Sequence, residues 1–307
     1  MSFILVTGAN GFVATHIIDQ LLDAGHYVRG TVRSPRLESI RGAYASYGSH
    51  FEVVAVDDLS KSDLTEAFKD VRALIHVATP LPGTTSPEVT LKTAVEVTGS
   101  IITLFNPDDK WTDITVDETF YAVSKKLSEQ AVWKFASEHP DIDVTTILPS
   151  WCFGPLSRHE PDPIDAITTR AYLNLTFYYM INGFEGRPFA EYAEALSHTY
   201  PAFVHISDIA RAHILALDVP PSPKPKRITI CGGYLVLSEA VRHIARVRPE
   251  LKDRLPVLED GFTDDRPYVK FDTSAMENVL RMTGLKTWQE TIEDTIDAIV
   301  AIQKQAV

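Results

Sequence analysis

The stretch that most constrains this chain is Ile4-Leu5-Val6-Thr7-Gly8-Ala9-Asn10-Gly11-Phe12-Val13-Ala14. Phe3 to Val6 is a short apolar run of β-favouring residues, as expected of a strand buried on both faces of a parallel sheet. From Gly11 the apolar period becomes helical, with Val13, Ile17, Ile18, Leu21 and Leu22 on one face and Gly25 where a C-cap belongs. Between the two lies a turn of pattern G-x-x-G-x-x-A, from Gly8, Gly11 and Ala14. Such a turn lets backbone approach a pyrophosphate, whose charge then faces the helix N-terminus. Glycine turns are common; the order strand, turn, helix is what carries the reading. Gly8, Asn10, Gly11, Phe12 and Val13 are the residues expected to touch a dinucleotide here. The G-x-x-x-x-G-K-[ST] pattern of an ATP-type phosphate loop is absent.

A chain of 307 residues predicts one large domain or two interlocked ones with a substantial core. Its net charge of −12 disfavours nucleic acid and anionic membranes as partners. No stretch approaches the roughly 20 apolar residues of a membrane span. The first strand begins so early that no targeting leader is expected. Cys152 and Cys231 offer neither metal spacing nor a disulfide framework, which fits a reducing compartment and a cytoplasmic location.

The second strand, Tyr27 to Val32, ends in Arg33, Ser34 and Arg36, where an NAD-preferring site usually has an acid. An arginine fork suits a 2′-phosphate, so Arg33 points to NADPH, with NADH less expected. Phe51 to Val56 is a third strand. After it, Asp57 or Asp58 can accept from an adenine amine or merely start the next helix; Asp58 and Leu59 are the favoured adenine contacts. A fourth strand, Ala73 to Val77, leads to Ala78, Thr79 and Pro80, placed to line the nicotinamide ribose. Tyr121 and Lys125 stand at i and i+4 at the start of a long helical pattern. A free phenol has a pKa near 10 and transfers protons poorly at neutral pH; an ammonium alongside favours the phenolate and brings that pKa nearer to use.

The opening TGANGFVATHI, the Arg33 segment, Asp58-Leu59 and His76-Val77-Ala78-Thr79-Pro80 together resemble the extended short-chain dehydrogenases/reductases. Within them the chain resembles the branch of dihydroflavonol reductases, cinnamoyl-CoA reductases and fungal ketone and aldehyde reductases, and it does so to near its C-terminus. The resemblance implies an α/β fold, a doubly wound parallel sheet of Rossmann type with a smaller C-terminal substrate lobe. Residues 1–155 would hold the dinucleotide, with 203–233 returning to that domain, and 156–202 with 234–307 would form the lobe. It further implies Tyr121 as proton donor, Lys125 as its partner and holder of the nicotinamide ribose, Ser100 as donor to the substrate carbonyl, and Pro149 against the cofactor. The Ser100 match is imperfect, since Gly99 stands where the family usually has another serine.

The activity so implied is NADPH-dependent reduction of a ketone or aldehyde to an alcohol, by a metal-free monomer or homodimer acting on a small-molecule carbonyl. One alternative is a sugar-nucleotide epimerase or dehydratase, ranked lower because the lobe shows no basic cluster for a diphosphate. Another is an NADP(H)-sensing protein without catalysis.

In the lobe, Trp151 and Phe153 fit substrate walls or core equally well, while Phe177, Tyr179, Met180 and Phe184 fit core better than pocket. Ser207 or Asp208, and later Ser238, are expected to cap helices. His205 and His213 read as structural, Pro220 to Lys226 as an exposed loop, and Trp288 to Gln303 as an amphipathic last helix.

One spacing conflicts with this fold. Tyr121 follows Ser100 too closely for the family, and the pattern Glu88 to Glu96 runs straight into Thr98-Gly99-Ser100. A parallel crossover needs a dozen or more residues including a loop. The geometry therefore predicts a discontinuity near Glu96–Thr98, and a smaller shortage at 117–120.

Overall fold

The computed structural model describes residues 2–59, 61–79, 117–167, 174–195, 202–222, 226–259, 262 and 270–305. Two compact units divide the chain. Met1–Asn10, Leu21–Thr146 and Asp218–Arg227 form one, and Gly11–Gln20, Ile147–Leu217 and Ile228–Val307 the other.

The first unit is built on a parallel sheet of β1 (Phe3–Thr7), β2 (Val28–Val32), β3 (Phe51–Ala55) and β4 (Val71–His76), in the order β3-β2-β1-β4. All ten residues of β1 and β2 are buried, as expected of central strands covered on both faces. With β2 on one side of β1 and β4 on the other, the strand order reverses at the carboxyl ends of β1 and β4. In doubly wound sheets that is where a ligand crevice opens. Helix α1 (Phe12–Asp23) ends as expected: Gly25 has φ +81, and Gly25 and His26 donate to the carbonyls of Leu22 and Leu21.

One residue of β2 breaks the apolar pattern. Arg29 is buried inside the sheet, with its guanidinium on Glu52, on the carbonyls of Glu66, Ala67 and Lys69, and over the Phe3 ring. A buried charge stands only when paired and fully hydrogen-bonded, and here several acceptors share one fork. Short helices α2 (Leu37–Ala43) and α3 (Thr65–Phe68) follow β2 and β3, and α4 (Asp117–Glu138) is the long helix of this unit. It runs without interruption through 117–120. The predicted discontinuity near Glu96–Thr98, like Pro80 and Ser100, lies outside the described residues.

β5 (Thr145–Pro149) and β8 (Lys226–Ile230) pair as a two-stranded sheet, and the division between the units falls inside both strands. Lys226 opens β8 instead of closing an exposed loop. It is buried, with its ammonium on Asp143 and the Pro220 carbonyl, partners 83 and 6 positions away.

In the second unit β6 (Trp151–Phe153) pairs in parallel with β7 (Ala202–His205), which pairs antiparallel with β9 (Gly233–Tyr234). Phe153, Phe177, Met180, Phe189, Tyr192 and Phe203 join Ile292 and Ile296 of the last helix, Trp288–Gln305, in one core. Phe153 is therefore core, edge-on to Phe177 at 4.8 Å between centroids, whereas Tyr179 is exposed.

The expected caps are replaced. Helix Leu237–Val247 has Val236 at its N-cap, without a side-chain bond, and Ser238 is buried within its first turn. Helix Ile206–Leu217 begins before Ser207, whose hydroxyl meets His205 Nδ1 at 2.6 Å; Asp208 accepts from the Lys286 amide and the Arg211 guanidinium. Among the described residues no helix is long and apolar enough to cross a membrane.

Candidate dinucleotide site

The turn after β1 is fixed by close backbone approach. Gly8 has φ +68, and a Cβ there would lie 3.1 Å from the Ala78 Cβ, so a side chain at this position would be strained and would crowd Ala78. Ala9 donates its amide to the Thr31 carbonyl at 2.8 Å and lies so close to β2 that a Cβ on Gly30 would come within 2.6 Å of its own. Gly11 accepts from the Thr15 amide at 3.0 Å as α1 begins, and the first turn of α1 carries no acidic side chain. A helix start of this kind favours an anion. Of the residues expected at a pyrophosphate, Gly8 and Asn10 stand in the turn after β1, and Gly11, Phe12 and Val13 at the start of α1.

Thr7 ties the ends of β1 and β4 together. Its hydroxyl oxygen accepts the amides of Val77 and Ala78, each at 3.2 Å, and lies 2.8 Å from His76 Nδ1. With both lone pairs taken, the hydroxyl proton has only the imidazole to go to. His76 Nδ1 is then an acceptor and the ring is neutral. Burial, and after it the Lys125 charge, push His76 down to about 4, in agreement with that bookkeeping of protons.

The next residue of this segment, Thr79, accepts from the Lys125 ammonium at 2.7 Å. Burial of the ammonium lowers Lys125 to about 8. The rest of the Lys125 side chain reaches solvent. Tyr121 stands one turn before Lys125 on α4.

At the far end of the sheet, the Val56 amide reaches the Val32 carbonyl at 2.7 Å and lays the end of β3 along the end of β2. Arg33 is exposed there. Asp57 is tied to the end of β2: its Oδ1 and Oδ2 accept from the Ser34 amide and hydroxyl, both at 2.7 Å, and each oxygen keeps a lone pair for a further donor. Those two bonds, with help from the Arg33 charge, hold its carboxyl below the usual range. Asp58 accepts from the Lys61 and Ser62 amides through its carbonyl and pairs with the Lys61 ammonium at 3.4 Å, with Leu59 beside it. Sequence reasoning missed both the Thr7 to His76 bond and the partner of Asp57. The signals were a threonine and a histidine at the ends of adjacent strands, and a second acid beside the expected one.

The structure brings Gly8 against Ala78, and Thr79 against Lys125. Pro149 closes β5. Among the described residues no group of His, Cys, Asp and Glu could hold a metal ion.

Comparison with known proteins gives this arrangement its class. The family described as "NAD dependent epimerase/dehydratase family" matches residues 4–109 and 96–232, two stretches that overlap over 96–109. The chain belongs to that family, the extended short-chain dehydrogenases/reductases, a class with oxidoreductase chemistry on a nicotinamide cofactor. It is 28% identical to ketoreductase adrE of Penicillium rubens, over 81% of each chain. It is 26% identical to tetraketide alpha-pyrone reductase 2 of Arabidopsis thaliana, over 99% of each. That second alignment runs over 354 residues, more than the 307 of this chain, so the relative fills positions that this chain lacks. Among solved structures, the yeast methylglyoxal/isovaleraldehyde reductase Gre2 complexed with NADPH matches with a TM-score of 0.77 at 21% identity, over 99% of each chain. This likeness bears on fold, which is the doubly wound Rossmann type.

Proposed function

We propose that the protein is an NADPH-dependent carbonyl reductase that converts a ketone or aldehyde to an alcohol. The observation that carries this reading is the Lys125 ammonium held on Thr79 at the carboxyl end of β4, one helical turn after Tyr121 and next to the Gly8 turn. When bound, a nicotinamide cofactor supplies the hydride. Tyr121 gives its phenolic proton to the oxygen of the reduced carbonyl, Lys125 holds the phenol's pKa down and hydrogen-bonds the ribose, and Ser100 orients the carbonyl. Arg33 receives the 2′-phosphate, Asp58 and Leu59 the adenine, and Ala78, Thr79, Pro80 and Pro149 the nicotinamide end. The protein works as a monomer or homodimer in the cytoplasm on a small-molecule carbonyl. Incubating it with NADPH and a panel of ketones and aldehydes tests the proposal, with alcohol formation as the supporting result.

The shortage ahead of α4 favours one second reading, a cofactor-binding protein that has lost turnover. Tight NADPH binding with no product from any carbonyl supports that reading instead.

A further inference from the structure

We propose that Asp57 is a specificity-determining residue that opposes Arg33 and so limits the preference for a 2′-phosphorylated cofactor, admitting NADH as well. The proposal rests on the dinucleotide reading above and assigns a residue that reading leaves out.

The short helical turn Ser34–Arg36 follows β2 directly, where the adenosine ribose of a bound dinucleotide lies. Backbone amides at such a turn commonly receive a phosphate. Here they are already used. The Ser34 amide and hydroxyl both go to Asp57, Pro35 has no N–H, and the Arg36 amide goes to the Arg33 carbonyl at 2.9 Å. A 2′-phosphate must then be held by side chains, Arg33 first among them, and next to a carboxylate that Ser34 keeps ionised. That juxtaposition repels a phosphate. A ribose bearing a hydroxyl at the same position meets no such repulsion and has an acceptor to donate to. Specificity set by a repulsive group against one competitor and an attractive group for the other is a general device. Arg33 and Asp57 supply the two halves from neighbouring strand ends, registered by the Val56 amide on the Val32 carbonyl.

The experiment titrates the full-length protein with adenosine 2′,5′-bisphosphate and with 5′-AMP, which differ only in the 2′-phosphate. It is repeated on Asp57→Asn. The asparagine oxygen keeps an acceptor for the Ser34 amide while the charge is removed. The expected result is a shift of the affinity ratio towards the bisphosphate by about five- to tenfold, as for one exposed charge near contact distance, shrinking in high salt. A ratio that stays put, or moves towards 5′-AMP, overturns the role of Asp57 while leaving the dinucleotide site standing. Equal weakening of both ligands makes Asp57 a scaffold for the turn and also overturns the proposal. If neither compound binds the unmodified protein, the dinucleotide reading fails first and the role of Asp57 with it.

Discussion

Thr7→Val is the substitution that most sharply tests how the nucleotide edge is held. Valine matches threonine in shape, and Thr7 is only 1% exposed, so the change creates no cavity and removes only a hydroxyl. Three bonds go with it: the Val77 and Ala78 amides lose their acceptor, and His76 Nδ1 loses its donor. An unsatisfied buried group costs about 1–3 kcal/mol, and these sites are part-buried, so about 1 kcal/mol each is apt and the total is about 2–4 kcal/mol. Thr7→Ser is the control, because it keeps the hydroxyl and loses one methyl, worth about 1 kcal/mol. Urea denaturation of both variants reads the difference as a shift of midpoint at constant slope. Because the same bonds position Thr79 for Lys125, Thr7→Val is also expected to bind NADPH more weakly than Thr7→Ser. Nitrogen NMR of His76 should find Nδ1 unprotonated in the parent protein. A Thr7→Val variant as stable as Thr7→Ser, or a protonated Nδ1, refutes the donor accounting.

Replacing Arg33 by Ala is expected to weaken NADPH much more than NADH, since a charge-assisted hydrogen bond is worth about 1.5–3 kcal/mol; equal losses in a binding titration remove Arg33 from cofactor choice. Gly8→Ala, by contrast, is expected to weaken both cofactors alike, because φ +68 and a Cβ at 3.1 Å from Ala78 distort the turn itself, and an unchanged affinity for either cofactor contradicts this. His76 lies far below its unfolded value of 6.5, so the unfolded chain binds the proton more readily between pH 6.5 and about 4; its contribution is complete above that window and is lost as pH falls through it. His76→Asn should flatten the decline of stability with pH over that range, and an unaltered slope in denaturation curves argues against a neutral buried ring.

Local pattern carried much of this fold. The β-branched runs at Phe3, Tyr27 and Phe51 and the glycine at 25 were legible because strand burial and C-cap geometry are properties of neighbouring residues. What escaped depends on residues far apart in the chain. Arg29 is a charge in a buried strand whose acceptors, the carbonyls of α3 and of Lys69 just after it, stand 37 to 40 positions on. Lys226 ended a proline- and lysine-rich run and read as solvated, yet Asp143 draws it under cover. Asp57 could be weighed only against adenine or a helix start, because its partner Ser34 sits 23 positions earlier on another strand end. Ser238 failed as a cap because helix Leu237–Val247 begins one residue earlier and buries it. In the candidate site, Lys125 donates to Thr79, two residues that the sequence places apart by 46 positions. The bond between Thr7 and His76 was missed, because a threonine and a histidine at adjacent strand ends are a weak signal until the register of β1 and β4 is known.

The most direct test of the account is the consumption of NADPH in the presence of a carbonyl compound, measured together with the alcohol formed, for the parent protein and Tyr121→Phe. The account predicts that NADPH is consumed one-for-one with alcohol by the parent. It predicts that removing the phenolic hydroxyl lowers turnover by roughly 10²–10⁴-fold, the range for a general acid, while NADPH affinity changes little. A parent protein that binds NADPH tightly and reduces nothing, or a Tyr121→Phe variant that turns over at the parent rate, contradicts it.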